Sequence, residues 1–308
     1  MSQRQNAHSH GVTPPRVSGV VQLADGRDLA FAEFGDPGGL PVVWLHGTPG
    51  SCRQVAPAAS EAASALGVRI IGVARPGAGD STMARYRNIA AIADDIEQLV
   101  DAFGVGQFAA IGLSGGGPYT LAIGALLTDR VAGLGVLGGV APTVGDDAPA
   151  GGVVALARTY QAPLRRLHRP LASVVNGVLR PLIPVAGQIG DAFFRLLPEG
   201  DQRVFATPGV KEMFIGDLAL SVTDGGGIQG ALRDAVLFGR DWGFRLGDVK
   251  VPVHWWHGDD DWIVPLAHGE WVVARLPDAT FHLRPGDSHL SGYAAAGEVI
   301  ETARSFFA

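Results

Sequence analysis

The sequence predicts an α/β fold, with a mostly parallel central sheet flanked by helices and interrupted once by a helical insertion. Three observations carry the prediction. Short continuous apolar runs alternate with segments of helical periodicity, the pattern of parallel strands buried on both faces. The alternation stops near residue 141 and resumes near residue 241. A Gly112-Leu113-Ser114-Gly115-Gly116 turn sits where one apolar run passes into a small-residue helix.

The elements follow in order. Residues up to 16 read as a flexible N-terminal tail. Runs 17–23 and 29–34 flank Asp25-Gly26-Arg27 and read as a hairpin. Strands are expected at 41–46, 68–74, 108–113 and 131–140, with helices across 60–66, 89–103 and 115–127 between them. In 89–103 the apolar residues Ile89, Ile92, Ile96, Leu99, Val100 and Phe103 keep a helical spacing. From 141 to 240 strand signals vanish, and Pro163, Pro170, Pro181, Pro184, Pro198 and Pro208 break the helical runs. That segment reads as a helical cap. Residues 17–140 and 241–308 form the core, the second part contributing a strand at 251–256, a helix at 266–276, a strand at 280–283 and a helix at 293–307.

Composition narrows the function. The chain has 308 residues, 47% hydrophobic and 18% charged, enough for one large core with an appendage. A net charge of −6 without a long basic run argues against nucleic acid or an anionic membrane as partner. One cysteine, Cys52, excludes an internal disulfide framework. The polar first ten residues lack the apolar run of a signal peptide, and no apolar stretch reaches transmembrane length. A cytoplasmic protein is expected.

The glycine-flanked serine reads as a nucleophile elbow, a tight strand-to-helix turn that lifts Ser114 Oγ above the sheet edge. Serine needs a base within hydrogen-bond reach, and the base needs a group to orient it. His289, in Gly286-Asp-Ser-His-Leu-Ser, is expected in the loop after the last strand. Asp259, Asp260 and Asp261 compete for the orienting role in the loop after the 251–256 strand. In a parallel sheet these loops share the C-terminal edge with Ser114. The backbone N–H groups of Thr48 and Gly115 are the expected oxyanion donors, the first from the His46-Gly-Thr-Pro-Gly50 loop. His46 is expected to shape that loop, and Arg75 to tie loops together. His254 and His257 lie three apart on a strand, point to opposite faces and do not clasp a metal. Gly77 and Gly79 complete no phosphate-binding loop.

After residue 16 the chain resembles the α/β-hydrolase superfamily, in particular bacterial proline-iminopeptidase-like and esterase-like hydrolases. The resemblance rests on His46 to Gly50, on the R-P-G-x-G-x-S turn of residues 75–81, on the S-G-G-G-P-Y elbow of residues 114–119, on Trp242-Gly-Phe244, and on the G-x-x-D-x-x-V-P stretch of residues 258–265. Ala74 stands where such proteins usually carry Asp. The spacing of the last motif selects Asp261. The resemblance implies the α/β-hydrolase fold, a helical cap and acyl hydrolysis. The resulting expectation is a serine hydrolase of carboxylic esters that uses Ser114, His289 and Asp261, with no metal or organic cofactor. Its expected partners are a small-molecule acyl substrate and, in a homodimer, a second copy of the chain. Phe193, Phe194, Phe205, Met213 and Phe214 are expected cap walls of the pocket. A proline-iminopeptidase-like aminopeptidase, holding a free amine with Glu199, Asp201, Glu212 or Asp217, is an alternative. A cofactor-free C–C hydrolase or haloperoxidase-like enzyme and a triad-retaining ligand receptor are others. Epoxide hydrolysis and dehalogenation are disfavoured, because they need Asp in place of Ser114.

Overall fold

A computed structural model describes residues 13–149, 194–223 and 228–308, together with the isolated positions 167, 171 and 175. Eight strands form one sheet: β1 (Val17–Gln22), β2 (Asp28–Gly35), β3 (Leu40–Leu45), β4 (Val68–Val73), β5 (Phe108–Leu113), β6 (Val131–Leu137), β7 (Val253–Gly258) and β8 (Ala279–Arg284). Their order across the sheet is β1-β2-β4-β3-β5-β6-β7-β8. Strand β2 runs antiparallel to both β1 and β4, and every pairing from β4 to β8 is parallel. The β3, β5 and β6 strands lie inside the sheet, so both of their faces are apolar. Val43 and Leu45 enter one core cluster, while Val42 and Trp44 enter the other.

Helices cover both faces. On one face lie α2 (Ile92–Ala102), α3 (Gly117–Leu126) and α7 (Leu266–Val273); α1 (Pro57–Leu66) and α8 (Ala296–Ser305) lie on the other. Three further helices belong to the insertion: α4 (Glu199–Phe205), α5 (Val210–Thr223) and α6 (Gln229–Phe238). They use both cores. Leu237 of α6 joins the cluster beneath α2 and α3, whereas Val204, Phe205, Val210 and Met213 join the opposite one.

The structure moves several expected boundaries. Arg16 is no part of a loose tail: its N–H donates to Glu33 O at 2.7 Å and its guanidinium meets Glu33 Oε2 at 2.6 Å. Strand β6 ends at Leu137 because Gly138 turns at φ +55°, its N–H captured by Trp256 O. His289 lies on a 3-10 segment (His289–Tyr293) that precedes α8, and the last helix starts only at Ala296. Residues 1–12 lie outside the described residues, as do Phe193 and Pro163, Pro170, Pro181 and Pro184 of the insertion.

Candidate active site

The site is built on the C-terminal ends of four strands, β3, β5, β7 and β8. Ser114 follows β5 directly and opens a 3-10 turn (Ser114–Gly116) that runs into α3. Its φ is +51°, the one positive φ of a non-glycine residue among the described residues. A side chain in this region costs about 1–2 kcal/mol, so the surroundings must impose it. They do so by steric closure. A Cβ at Gly112 would collide with Thr120 Oγ1, and one at Gly116 would collide with Leu45 O and approach His46 O to 2.8 Å. The flanking glycines are thus the residues that let α3 turn back against β3 and β5.

His289 Nε2 stands 2.8 Å from Ser114 Oγ, and His289 Nδ1 stands 2.8 Å from Asp261 Oδ2. A carboxylate only accepts, so Nδ1 carries the proton and Nε2 presents its lone pair to the serine hydroxyl. Asp261 is held in turn. Its Oδ1 accepts the Ile263 and Val264 N–H groups at 2.9 and 2.8 Å. Its Oδ2 also lies 3.3 Å from His257 Nε2. Trp255 Nε1–H donates to His257 Nδ1 at 3.1 Å, which leaves the His257 proton on Nε2, facing Val264 O and the carboxylate. Burial works to raise the Asp261 pKa, yet the donors from His257, His289 and Val264 hold it well below the usual carboxylate range. These donors therefore favour the charged form of Asp261. Asp260 is exposed, and Asp259 accepts the Gly286 N–H at 2.7 Å.

The third component is the loop after β3. His46 accepts the Arg75 N–H on Nε2 at 3.0 Å and donates from Nδ1 to Gly47 O at 2.6 Å. Burial first, and the Arg75 charge second, push its pKa far down, so both nitrogens serve the loop as a neutral ring. Gly47 N–H is spent on Gln54 Oε1 at 2.6 Å. The Thr48–Pro49 peptide is cis. Neither the Thr48 nor the Gly115 N–H enters a turn or loop hydrogen bond among the described residues. The Thr48 hydroxyl is fully occupied, donating to Asp234 Oδ2 at 2.7 Å and accepting from Arg75 at 2.8 Å.

A serine, an imidazole and a carboxylate in series on the C-terminal edge of this sheet invite comparison with known proteins. A family model for the alpha/beta hydrolase fold matches residues 41–169, which contain β3 to β6 and the Ser114 turn. The chain has the α/β-hydrolase fold. It is 30% identical over 132 residues to the proline iminopeptidase of Neisseria gonorrhoeae, covering 42% of each chain. It is 51% identical over 39 residues to a pimeloyl-[acyl-carrier protein] methyl ester esterase of Aromatoleum aromaticum, covering 13% of this chain and 16% of that one. The chain thus spans less than half the length of these curated relatives. An esterase from Exiguobacterium antarcticum shares its fold, with a TM-score of 0.67 at 20% identity over 94% of this chain and 99% of the other.

The insertion reaches the loops after β3, β7 and β8 through carboxylates. Asp201 of α4 accepts the Leu290 N–H at 2.8 Å and Trp262 Nε1–H at 3.3 Å. Asp217 of α5 accepts the Ser51 and Arg53 N–H groups at 2.7 and 3.2 Å. Asp234 of α6 takes Thr48, Arg75 and Tyr119. Of the four carboxylates read as amine holders, Glu199 and Glu212 are exposed, and the other two are committed to backbone donors. Phe194 and Phe205 stack at 3.9 Å, and Phe214 meets Phe205 edge-on at 5.3 Å. Met213 is buried with them, and Phe214 is the one half-buried member. Asp234 is not singled out by the sequence, and His257 reads there only as a strand residue that does not clasp a metal. A signal for Asp234 did exist: an acid on the buried stripe of α6, spaced with Gly230 and Leu237. Among the described residues no group of three or more His, Cys, Asp or Glu could hold a metal, and no helix is long and apolar enough to cross a membrane.

Proposed function

We propose that this protein cleaves carboxylic esters through an acyl-enzyme on Ser114. The observation that carries the reading is the series Ser114–His289–Asp261, two contacts of 2.8 Å each. In this mechanism Ser114 Oγ attacks the acyl carbonyl as His289 Nε2 takes its proton. Asp261 keeps the imidazole in the Nδ1–H tautomer and stabilises the imidazolium without itself being protonated. The carbonyl oxygen becomes an oxyanion facing the Thr48 and Gly115 N–H groups, each worth roughly 3 kcal/mol in the transition state. Collapse expels the alcohol, which receives the proton from His289. Water then attacks the acyl-enzyme with His289 again as base and releases the acid. Residues 141–240 act as the cap that covers this chemistry.

The likeness to proline iminopeptidase supports a second reading, removal of an N-terminal residue from a peptide. It needs a carboxylate free to hold an ammonium group, and Asp201 and Asp217 are already taken. A p-nitrophenyl ester series assayed beside proline p-nitroanilide separates the two. We expect turnover of short esters and none of the anilide, with fluorophosphonate labelling lost in Ser114→Ala. Anilide turnover without ester turnover overturns the esterase reading; equal labelling of wild type and Ser114→Ala overturns the nucleophile.

A further inference from the structure

The two expected oxyanion donors belong to different elements. Thr48 is on the loop after β3, and Gly115 is in the first turn after β5. Something must fix the gap between them, because a donor displaced by an ångström no longer meets the oxyanion. One side chain accepts hydrogen bonds from both elements, and it comes from the insertion. Asp234 Oδ2 accepts the Thr48 hydroxyl at 2.7 Å, while Asp234 Oδ1 accepts the Tyr119 hydroxyl at 2.6 Å. Tyr119 lies on the first turn of α3, four residues beyond Gly115. Arg75 completes the frame. It meets Asp234 Oδ2 at 2.6 Å, accepts no freedom of its own at 2% exposure, and donates to Gly47 O at 3.0 Å as well as to His46 O. Its guanidinium lies 4.9 Å from the Tyr119 ring centroid. The Thr48 side chain is in turn pressed against the Gly115 backbone: a Cβ on Gly115 would collide with Thr48 Oγ1 and stand 3.0 Å from Phe238 of α6.

We propose that Asp234 is a positioning residue: seated on α6, it sets the spacing of the Thr48 and Gly115 donors, so that the oxyanion site is complete only when the insertion is docked. The proposal rests on the esterase reading above, since it assigns a device within that same site. Its physical basis is the inventory of the carboxylate. Both oxygens are spent on the two donor-bearing elements, and a buried, charged Arg75 makes the arrangement costly to loosen. The cap therefore contributes to catalysis through a hydrogen-bonded strut rather than only by covering substrate.

Truncation to alanine would empty the position and leave Arg75, Thr48 and Tyr119 without this shared acceptor, so the informative variants are Asp234→Asn, which keeps one acceptor oxygen and the side-chain shape, and Thr48→Val. The second keeps the backbone N–H and the side-chain shape but breaks the strut. With active sites titrated by a fluorophosphonate, we expect either variant to lower kcat on p-nitrophenyl butyrate by about 10- to 100-fold, less than the roughly 10²–10³ that outright loss of one oxyanion donor costs, because both N–H groups remain. KM should change little, and inhibition by an aryl trifluoromethyl ketone should weaken in step with kcat. The Thr48→Val/Asp234→Asn double variant should be no worse than either single one. A merely structural Asp234 would reduce the number of titratable sites and leave kcat per site unchanged; that result overturns the proposal, as does simple additivity of the two losses. Should wild type show neither ester turnover nor labelling of Ser114, the esterase reading falls, and hydrogen–deuterium exchange still tests the strut. Faster exchange at both 46–50 and 114–119 in Asp234→Asn supports it, and unchanged exchange overturns it.

Discussion

Ser114 is strained on purpose by its neighbours, and Asp261 is charged by its neighbours; both properties are imposed on ordinary side chains from outside. The strain follows from Gly112 and Gly116, where any Cβ would run into the next element. The charge follows from donors on three sides that outweigh burial. Asp260, one residue away, is exposed and has neither constraint. The residue-scale prediction is therefore a contrast. Asp261→Asn should lower kcat by on the order of 10⁴, as loss of the correct imidazole tautomer does in serine proteases, with KM little affected. Asp260→Asn should leave kcat near wild type. Steady-state kinetics on one ester decides it, and the reverse ranking would place the orienting acid one residue earlier. Cys52 is the opposite case. Burial and, next, the Asp217 charge push its thiol up to about 12, so it is an inert core residue despite being the chain's one cysteine.

At the scale of elements, three insertion helices each place one buried acid on a site loop, and α5 pays the clearest electrostatic penalty. Burial lifts the Asp217 carboxyl from 3.8 to about 7 against the opposing pull of the Ser51 and Arg53 N–H groups. The folded state thus holds the proton more tightly than the unfolded chain. The linked stabilisation is complete below the unfolded pKa and is lost as pH rises through about 7. Asp217→Asn has no such proton to lose. The melting temperature of the variant minus that of wild type should accordingly increase between pH 5 and pH 8.5, as measured by differential scanning fluorimetry in matched buffers. A difference independent of pH would show that the carboxyl is charged in the folded state throughout. His254 carries the opposite linkage. Burial, and then His282 at 2.8 Å, lower its pKa, so folding stability there is lost as pH falls below the ordinary histidine range.

For the whole molecule, the question is whether insertion and core are one cooperative unit. The insertion supplies Leu237 to one core cluster and Phe194, Val204, Phe205 and Met213 to the other, so each of the two apolar cores is completed by it. Calorimetry should therefore record a single unfolding transition that includes the insertion. Phe205→Ala, which empties a stacked, buried position, should cost about 3–5 kcal/mol and shift that one transition as a whole. A separate, earlier transition in wild type would mean that the insertion folds on its own.

How much of this was legible beforehand depends on the range of the interaction. The strand–helix alternation, the glycine-flanked serine and the order Ser114, Asp261, His289 are local or order-dependent features. The alternating burial of a parallel sheet writes them directly into the chain, because a strand buried on both faces must be apolar throughout. Strand ends were less legible: β6 stops at Gly138 because a positive φ there suits the turn toward the site. The choice among Asp259, Asp260 and Asp261 rested on motif spacing; in the fold it is the Asp261 carboxylate that lies 2.8 Å from His289. The Asp234 strut was beyond local reading altogether. Thr48, Arg75, Tyr119 and Asp234 are separated by up to 186 positions, and only the docking of α6 on the sheet edge brings them together. What the sequence by itself determined is the scaffold and the tight serine turn, since hydrophobic periodicity and steric need at single positions suffice for both. The tertiary structure alone decided which buried acids meet which donors, because a buried charge is stable only where distant segments converge to satisfy it.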